Sequence, residues 1–339
     1  MRAVVYRAYG ERPAVEDVPE PDCPDGGAVL EVRATGVCRS DWHAWRGHEP
    51  VALPHVPGHE LAGVVVATGR GVTRWRGGER VTVPFVCGCG TCEYCTAGDA
   101  QVCPHQTQPG FTGPGSFAGR VAIHAADFNL VALPEAVGFV AAAALGCRFA
   151  TAYRALTGHG GLRAGEWLAV HGCGGVGLSA VLIGVALGAR VVAVDVAPAA
   201  RRRAAELGAE HAVADPAAVA DLTGGGAHVS VDAVGLPAAA VASVRCLRRR
   251  GRHVQAGLLL GDASTPPLPM DLVVAHELAI HGTHGMAARD YPAMLDLVAS
   301  GELRPDLLVG AVIGLGEAPA ALTAFDRPAA GAGITVIEP

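Results

Sequence analysis

Residues 167 to 195 restrict the fold more than any other stretch of this 339-residue chain. The apolar run Trp167-Leu-Ala-Val-His171 reads as a buried strand, and Gly172-Cys-Gly-Gly-Val-Gly177 follows without a spacer. From Val176 to Leu187 the residues are small or aliphatic and free of proline, as a buried helix requires. Arg190-Val-Val-Ala-Val-Asp195 then reads as a second strand. Strand, glycine turn, helix and strand make a βαβ unit, and such units build parallel sheets covered on both faces. The runs Val229–Asp232, His253–Leu258 and Leu278–Gly282 continue the strands. Ala199–Leu207 and Ala238–Leu247 continue the helices. The expected fold class is therefore α/β, with a doubly wound parallel sheet over residues 149–284.

Outside that block the chain reads differently. Short alternating runs such as Ala28–Arg33 and Gly63–Ala67 are punctuated by Gly and Pro, which predicts a β-rich domain over residues 1–148. Residues 285–339, ending in the strand-like Ile334–Ile337, are expected to return and complete it. One segment imitates a membrane helix, because Trp167 to Ala189 carries no formal charge. Its six glycines and the β-rich run that follows favour a strand, a turn and a buried helix.

The glycine turn carries chemistry as well as shape. Gly172 permits the tight turn, Gly174 lets backbone N–H groups approach a pyrophosphate, and Gly177 allows close helix–strand packing. Gly175 and Val176 open the helix, whose N-terminus favours phosphate. Asp195 ends the second strand 18 residues after Gly177, where a carboxylate accepts the adenosine ribose hydroxyls of NAD. NAD is the expected cofactor, since a carboxylate there repels the extra phosphate of NADP.

Charge narrows the partners. With 26 basic and 32 acidic residues the net charge is −6, which offers no field for nucleic acid or an anionic membrane. The Arg201-Arg-Arg203 and Arg248-Arg-Arg250 runs read as solvated helix or turn faces. All basic residues are arginine, so no Schiff-base or P-loop lysine exists. Met1-Arg-Ala-Val-Val-Tyr-Arg7 has no charged-then-apolar export pattern, and a cytoplasmic location is expected.

The ten cysteines are clustered, which in a reducing compartment points to metal rather than disulfides. Cys89, Cys92, Cys95 and Cys103 form C-x2-C-x2-C-x7-C within a lobe of about residues 87–104. Four thiolates complete a tetrahedral zinc and leave no open position, which is the pattern of a structural site. Cys87 is surplus to that set. A second, dispersed group comprises Cys38, His59, Glu60 and Cys147. Their donor types suit a catalytic zinc that keeps or exchanges one position for substrate, although each residue taken singly also fits an ordinary turn or core role.

Gly36-Val-Cys38-Arg-Ser-Asp-Trp-His43, Pro54-His-Val-Pro-Gly-His-Glu60, the four-cysteine lobe, Leu145-Gly-Cys147-Arg-Phe-Ala-Thr151 and Gly172–Gly177 run in one order along the chain. In that order they resemble the zinc-dependent medium-chain alcohol dehydrogenases, in the bacterial, tetrameric-type branch. The resemblance implies a Rossmann domain beside a GroES-like catalytic domain, two zinc ions per chain, and a homo-oligomer, with a tetramer favoured over a dimer. It makes Cys38, His59 and Cys147 catalytic-zinc ligands and Glu60 a neighbour that swaps in when water or substrate leaves. It makes Asp41 the carboxylate that orients His59, Ser40 the relay hydroxyl, and His43 the histidine that passes the proton toward solvent. Thr151 would pack on the nicotinamide, Arg39 would contact pyrophosphate, and Phe85 would line the substrate pocket.

Two departures stand out. Ile334 occupies the place of a family arginine that contacts pyrophosphate, and Ala200 replaces a basic residue beside the ribose, with Arg201 next to it. The expected activity is reversible hydride transfer between a primary or secondary alcohol and NAD, giving an aldehyde or ketone. A polyol, amino-alcohol or biosynthetic alcohol dehydrogenase of the same family is the alternative, and a non-catalytic zinc- and nucleotide-binding sensor lies further off.

Overall fold

The computed structural model describes residues 1–327 and 333–339. The chain divides into two compact units. One comprises Met1–Ala150, Gly285–Gly301 and Val309–Pro339, and the other comprises Thr151–His284 with Glu302–Leu308.

In the second unit, six strands lie in the order His211–Val213, Arg190–Val194, Trp167–His171, Ala227–Asp232, Leu247–Gln255, Ala279–Gly282, all parallel. Chain order reverses beside Trp167–His171, the switch point that defines a doubly wound Rossmann sheet. Trp167–His171 is buried at every residue, as a central parallel strand must be. The helix Gly175–Ala186 packs on this strand and on Arg190–Val194. It begins one residue before the expected Val176 and ends at Ala186. The apparent membrane segment thus resolves into strand, turn and helix. Among the described residues, no helix is long and apolar enough to cross a membrane.

The turn between strand and helix needs its glycines. Gly172 adopts φ +89°, and a Cβ there would meet the Val234 side chain at 2.5 Å. At Gly177 a Cβ would run into the Gly172 carbonyl oxygen. The helices Pro198–Glu206 and Pro237–Arg245 both start on a proline at the first turn, where its missing N–H costs nothing. Arg248–Arg250 is neither helix nor turn. It lies at the start of the strand Leu247–Gln255, in a register shift against Ala227–Asp232 that turns Arg249 and Arg250 to solvent.

In the first unit the long strand Ala28–Val37 is the organiser. It pairs antiparallel with Glu60–Thr68, with Arg120–Ile123 and with the returning strand Ile334–Glu338. Leu30, Val32, Leu61, Val65, Val81, Val121 and Ile123 fill the core against it. The register sets Gly36 opposite Glu60. Cys38 leaves the first strand just as His59 enters the second, so pairing alone brings the two together.

Burial makes the second unit acid-sensitive. Burial pushes His171 down from 6.5 to about 4, and burial also lowers His253 and His228. An unfolded chain takes up a proton at His171 near pH 6.5, whereas the folded chain resists until about 4. Stability is therefore lost progressively as pH falls through that window, by on the order of 3 kcal/mol for His171. Thermal melts should show Tm falling between pH 7 and pH 5, and His171→Gln should flatten part of that fall.

Candidate metal centre and nucleotide turn

Cys38 caps the helix Arg39–Trp45, and Asp41 stands in its first turn. The Asp41 carboxylate is buried and takes three N–H donors. Its Oδ2 accepts from Cys38 N at 2.9 Å, and its Oδ1 accepts from Gly58 N at 3.0 Å and from His59 Nδ1 at 2.9 Å. With Nδ1 so fixed, His59 turns Nε2 the other way. That Nε2 is buried and has no hydrogen-bond partner. Such an orphan costs free energy unless something fills the place it points to.

Cys147 arrives from a different part of the unit, on a π-helical turn over Leu145–Phe149. Turns of this kind recur where a fold presents functional side chains. The ligand atoms of Cys38, His59, Glu60 and Cys147 all lie within 4.8 Å of one another. The electrostatics match. A hydrogen bond from Cys147 first, then the charges of Arg148 and His59, hold the Cys38 thiol well below its usual range despite burial. Its partner Cys147 is held correspondingly high. Burial pushes His59 down, but Asp41 outweighs it and raises the imidazole well above its ordinary value. Two soft sulfur donors and an orphaned imidazole nitrogen fit a divalent zinc.

The remaining expected residues surround this cluster. The Ser40 hydroxyl is 3.8 Å from Cys38 Sγ. His43, on the same helix, sets Nδ1 at 3.0 Å from His48 Nδ1. Burial lowers its pKa below 6.5, with help from His48 and Arg39 and against Cys38. The Arg39 guanidinium sits over the rings of Trp42 and Phe325 at 5.3 and 5.1 Å. Phe85 stands edge-on to the His59 ring at 6.1 Å.

Cys89, Cys92, Cys95 and Cys103 form the second group of clustered ligand atoms. Backbone N–H groups point at the sulfurs: Cys92 N at Cys89, Cys95 N at Cys92, and both Cys89 N and His105 N at Cys103, at 3.3 to 3.5 Å. Such donors favour thiolates. Cys87 stays outside the set; its buried thiol donates to the Pro84 carbonyl and burial pushes it up to about 12. All ten cysteines are free, so no disulfide competes.

In the second unit Thr151 is buried. At the glycine turn, a Cβ on Gly174 would meet nothing within 4 Å, so the backbone there lies open to a ligand. Gly174 caps the helix that Gly175, Val176 and Gly177 begin. Asp195 Oδ2 accepts from Cys173 N at 2.7 Å and Oδ1 from Ala197 N at 2.8 Å, which ties the carboxylate to the turn. Arg201 Nη1 donates to the carbonyls of Asp195 and Val196 at 2.7 and 2.9 Å.

Residues 24–135 match the alcohol dehydrogenase GroES-like domain, and residues 175–300 match the zinc-binding dehydrogenase domain. An alcohol dehydrogenase of Geobacillus stearothermophilus is 32% identical over 90% of both chains. The solved alcohol dehydrogenase TADH from Thermus sp. ATN1 superposes with a TM-score of 0.92 at 32% identity, covering 100% of this chain and 99% of that one. A structure described as an NAD-dependent alcohol dehydrogenase gives 0.89 at 30% identity and covers both chains fully. The chain belongs to the zinc-dependent medium-chain alcohol dehydrogenase family.

Measured against the family pattern, three neighbours of the cluster escape a reading of the sequence. Arg148 is buried and forks onto Glu60, a partner 88 residues away in sequence. His48 reaches His43. Phe111 stands 5.1 Å from the His59 ring, nearer than Phe85. Arg148 follows a candidate ligand directly, which was its one available signal; the other two lie outside every motif.

Because Asp41 alone fixes His59 Nδ1, Asp41→Ala should weaken metal retention at this cluster by about 10- to 100-fold. Chelator competition, read as metal lost from the purified protein, checks this. Retention equal to wild type would mean that Asp41 does not orient the imidazole.

Proposed function

We propose that the protein is an NAD- and zinc-dependent alcohol dehydrogenase that interconverts a primary or secondary alcohol with an aldehyde or ketone. The orphaned His59 Nε2, facing the sulfurs of Cys38 and Cys147 in a buried pocket, supports this reading most directly. Those three residues would hold the ion. Zinc supplies Lewis acidity, which lowers the pKa of an alcohol bound to it. NAD supplies the hydride acceptor.

The chain's own groups handle position and protons. Asp41 holds His59 in the tautomer that leaves Nε2 free to ligate. Ser40, beside Cys38, receives the alcohol proton, and His43 carries it outward. His43 Nδ1 is committed to His48, so a proton entering at Nε2 leaves toward His48 and solvent. Phe85 and Phe111 put aromatic rings beside His59 and would give substrate an apolar wall there. In the second unit the open backbone at Gly174 and the N-terminal turn at Gly175, Val176 and Gly177 receive the pyrophosphate, and Asp195 receives the ribose hydroxyls. Arg39 would assist at the pyrophosphate and Thr151 at the nicotinamide. Arg201 spends its Nη1 on backbone carbonyls, which weakens its claim on the phosphate of NADP. The four-cysteine lobe holds a second, structural zinc. A homotetramer in the cytoplasm is the expected assembly and location.

A panel of alcohols, followed by NADH absorbance with and without chelator, tests the activity. We expect about two zinc per chain and complete loss of turnover in a folded Cys38→Ser protein. Cys95→Ser should instead lower thermal stability, since metal orders the apolar-poor lobe. Turnover in zinc-free protein, or none on any alcohol, would refute the reading.

The relay has its own signature. Ser40→Ala should slow oxidation by about 10²- to 10⁴-fold while leaving NAD binding unchanged. His43 stays neutral, and so able to accept a proton, until pH falls below the ordinary 6.5. Wild-type oxidation should therefore lose this limb only below that value, whereas His43→Ala should be slower near neutrality and recover as pH rises. For the cofactor, kcat/KM should favour NAD over NADP, and Asp195→Ser should narrow the preference. A wild type that prefers NADP would overturn the role given to Asp195.

A further inference from the structure

Glu60 makes more hydrogen bonds than a ligand waiting to exchange requires. It is wholly buried, and its Oε1 accepts from Cys147 N at 3.0 Å, Arg148 N at 3.1 Å and Arg148 Nε at 3.1 Å. Its Oε2 pairs with the second arm of the Arg148 guanidinium. The arginine is itself buried, 8% exposed at the side chain. The fold makes room for this pair. A Cβ on Gly36 would meet Glu60 Oε2 at 2.5 Å and Arg148 Nη2 at 3.1 Å, and one on Gly146 would meet the Glu60 Cα at 2.7 Å. The π-helical turn that delivers Cys147 also aims the two backbone N–H groups at the carboxylate.

Charge explains why the pair is there. Two thiolates and a neutral imidazole already balance a divalent cation. A carboxylate beside them adds an uncompensated buried negative charge, and Arg148 cancels it within the same fork. Were the arginine absent, the strongest remaining partner for the carboxylate would be the metal.

We propose that Arg148 is a positioning residue that holds Glu60 off the catalytic metal and keeps the fourth coordination position open. This rests on the metal site proposed above. In this chain, then, Glu60 orders the Cys147 turn and does not take part in the ligand exchange that the family resemblance implied.

The test uses Co2+-loaded protein and imidazole as an inner-sphere probe, read by the visible ligand-field spectrum. The four-cysteine site is closed and should contribute nothing to the imidazole-dependent difference. Wild type should show a clear difference spectrum; its absence would refute the metal-site reading itself. In Arg148→Met the spectrum without imidazole should already be shifted, and imidazole affinity should fall about 10-fold or more. The double variant Glu60→Gln with Arg148→Met should return both readouts toward wild type, because no carboxylate remains to bind the metal. Wild-type behaviour in Arg148→Met, or failure of the double variant to rescue, overturns the proposal. Glu60→Gln alone supplies an arm independent of Arg148→Met folding. A glutamate held away from the metal predicts imidazole binding no tighter than wild type, whereas markedly tighter binding would show that Glu60 competes for the position.

Discussion

Three N–H groups converge on the Asp41 carboxylate, and the site depends on that convergence. Cys38 N, Gly58 N and His59 Nδ1 come from two chain segments, and one buried carboxylate fixes all three. Strand register prepares the meeting. Gly36 lies opposite Glu60, so Cys38 and His59 sit at adjoining ends of paired strands before any side chain acts. Asp41 then converts nearness into geometry by choosing which imidazole nitrogen faces the sulfurs. That carboxylate also raises the His59 imidazole well above its ordinary value against the effect of burial.

The two cysteine-bearing clusters are assembled in different ways. In the lobe, backbone N–H groups stabilise the sulfurs and all four ligands come from one short, glycine-containing segment. Nothing there is left over for a substrate. In the other cluster the candidate ligands come from three separate segments, and the Glu60 carboxylate among them is tied to Arg148. Sequence-local ligands suit a site that orders a loop. Ligands gathered from across a sheet suit one whose surroundings can be shaped for chemistry.

Much of this was legible in the sequence, and the reasons differ by element. The strand–turn–helix at Trp167–Ala186 was readable because its glycines answer to steric demands that no other residue meets. The four-cysteine spacing was readable because the lobe is local. Asp41 and Ser40 drew their expected roles from the family resemblance alone, since a carboxylate and a hydroxyl after Cys38 also make an ordinary helix cap. Arg148 stood inside a motif without a role and Phe111 in none, because their partners are far away in sequence and only the fold brings them to Glu60 and His59. The Arg248–Arg250 run was read as a helix or turn face for a related reason. Its arginines look solvated, and they are, but at a register shift in a strand rather than on a helix.

Cadmium NMR of the cadmium-loaded protein, titrated with imidazole, bears most directly on the central claim that one closed and one open metal site coexist in this chain. Two resonances are expected: one in the range of an all-sulfur site that does not move, and one from a site of mixed sulfur and nitrogen donors that shifts on titration. A single resonance, or two that both ignore imidazole, would contradict it.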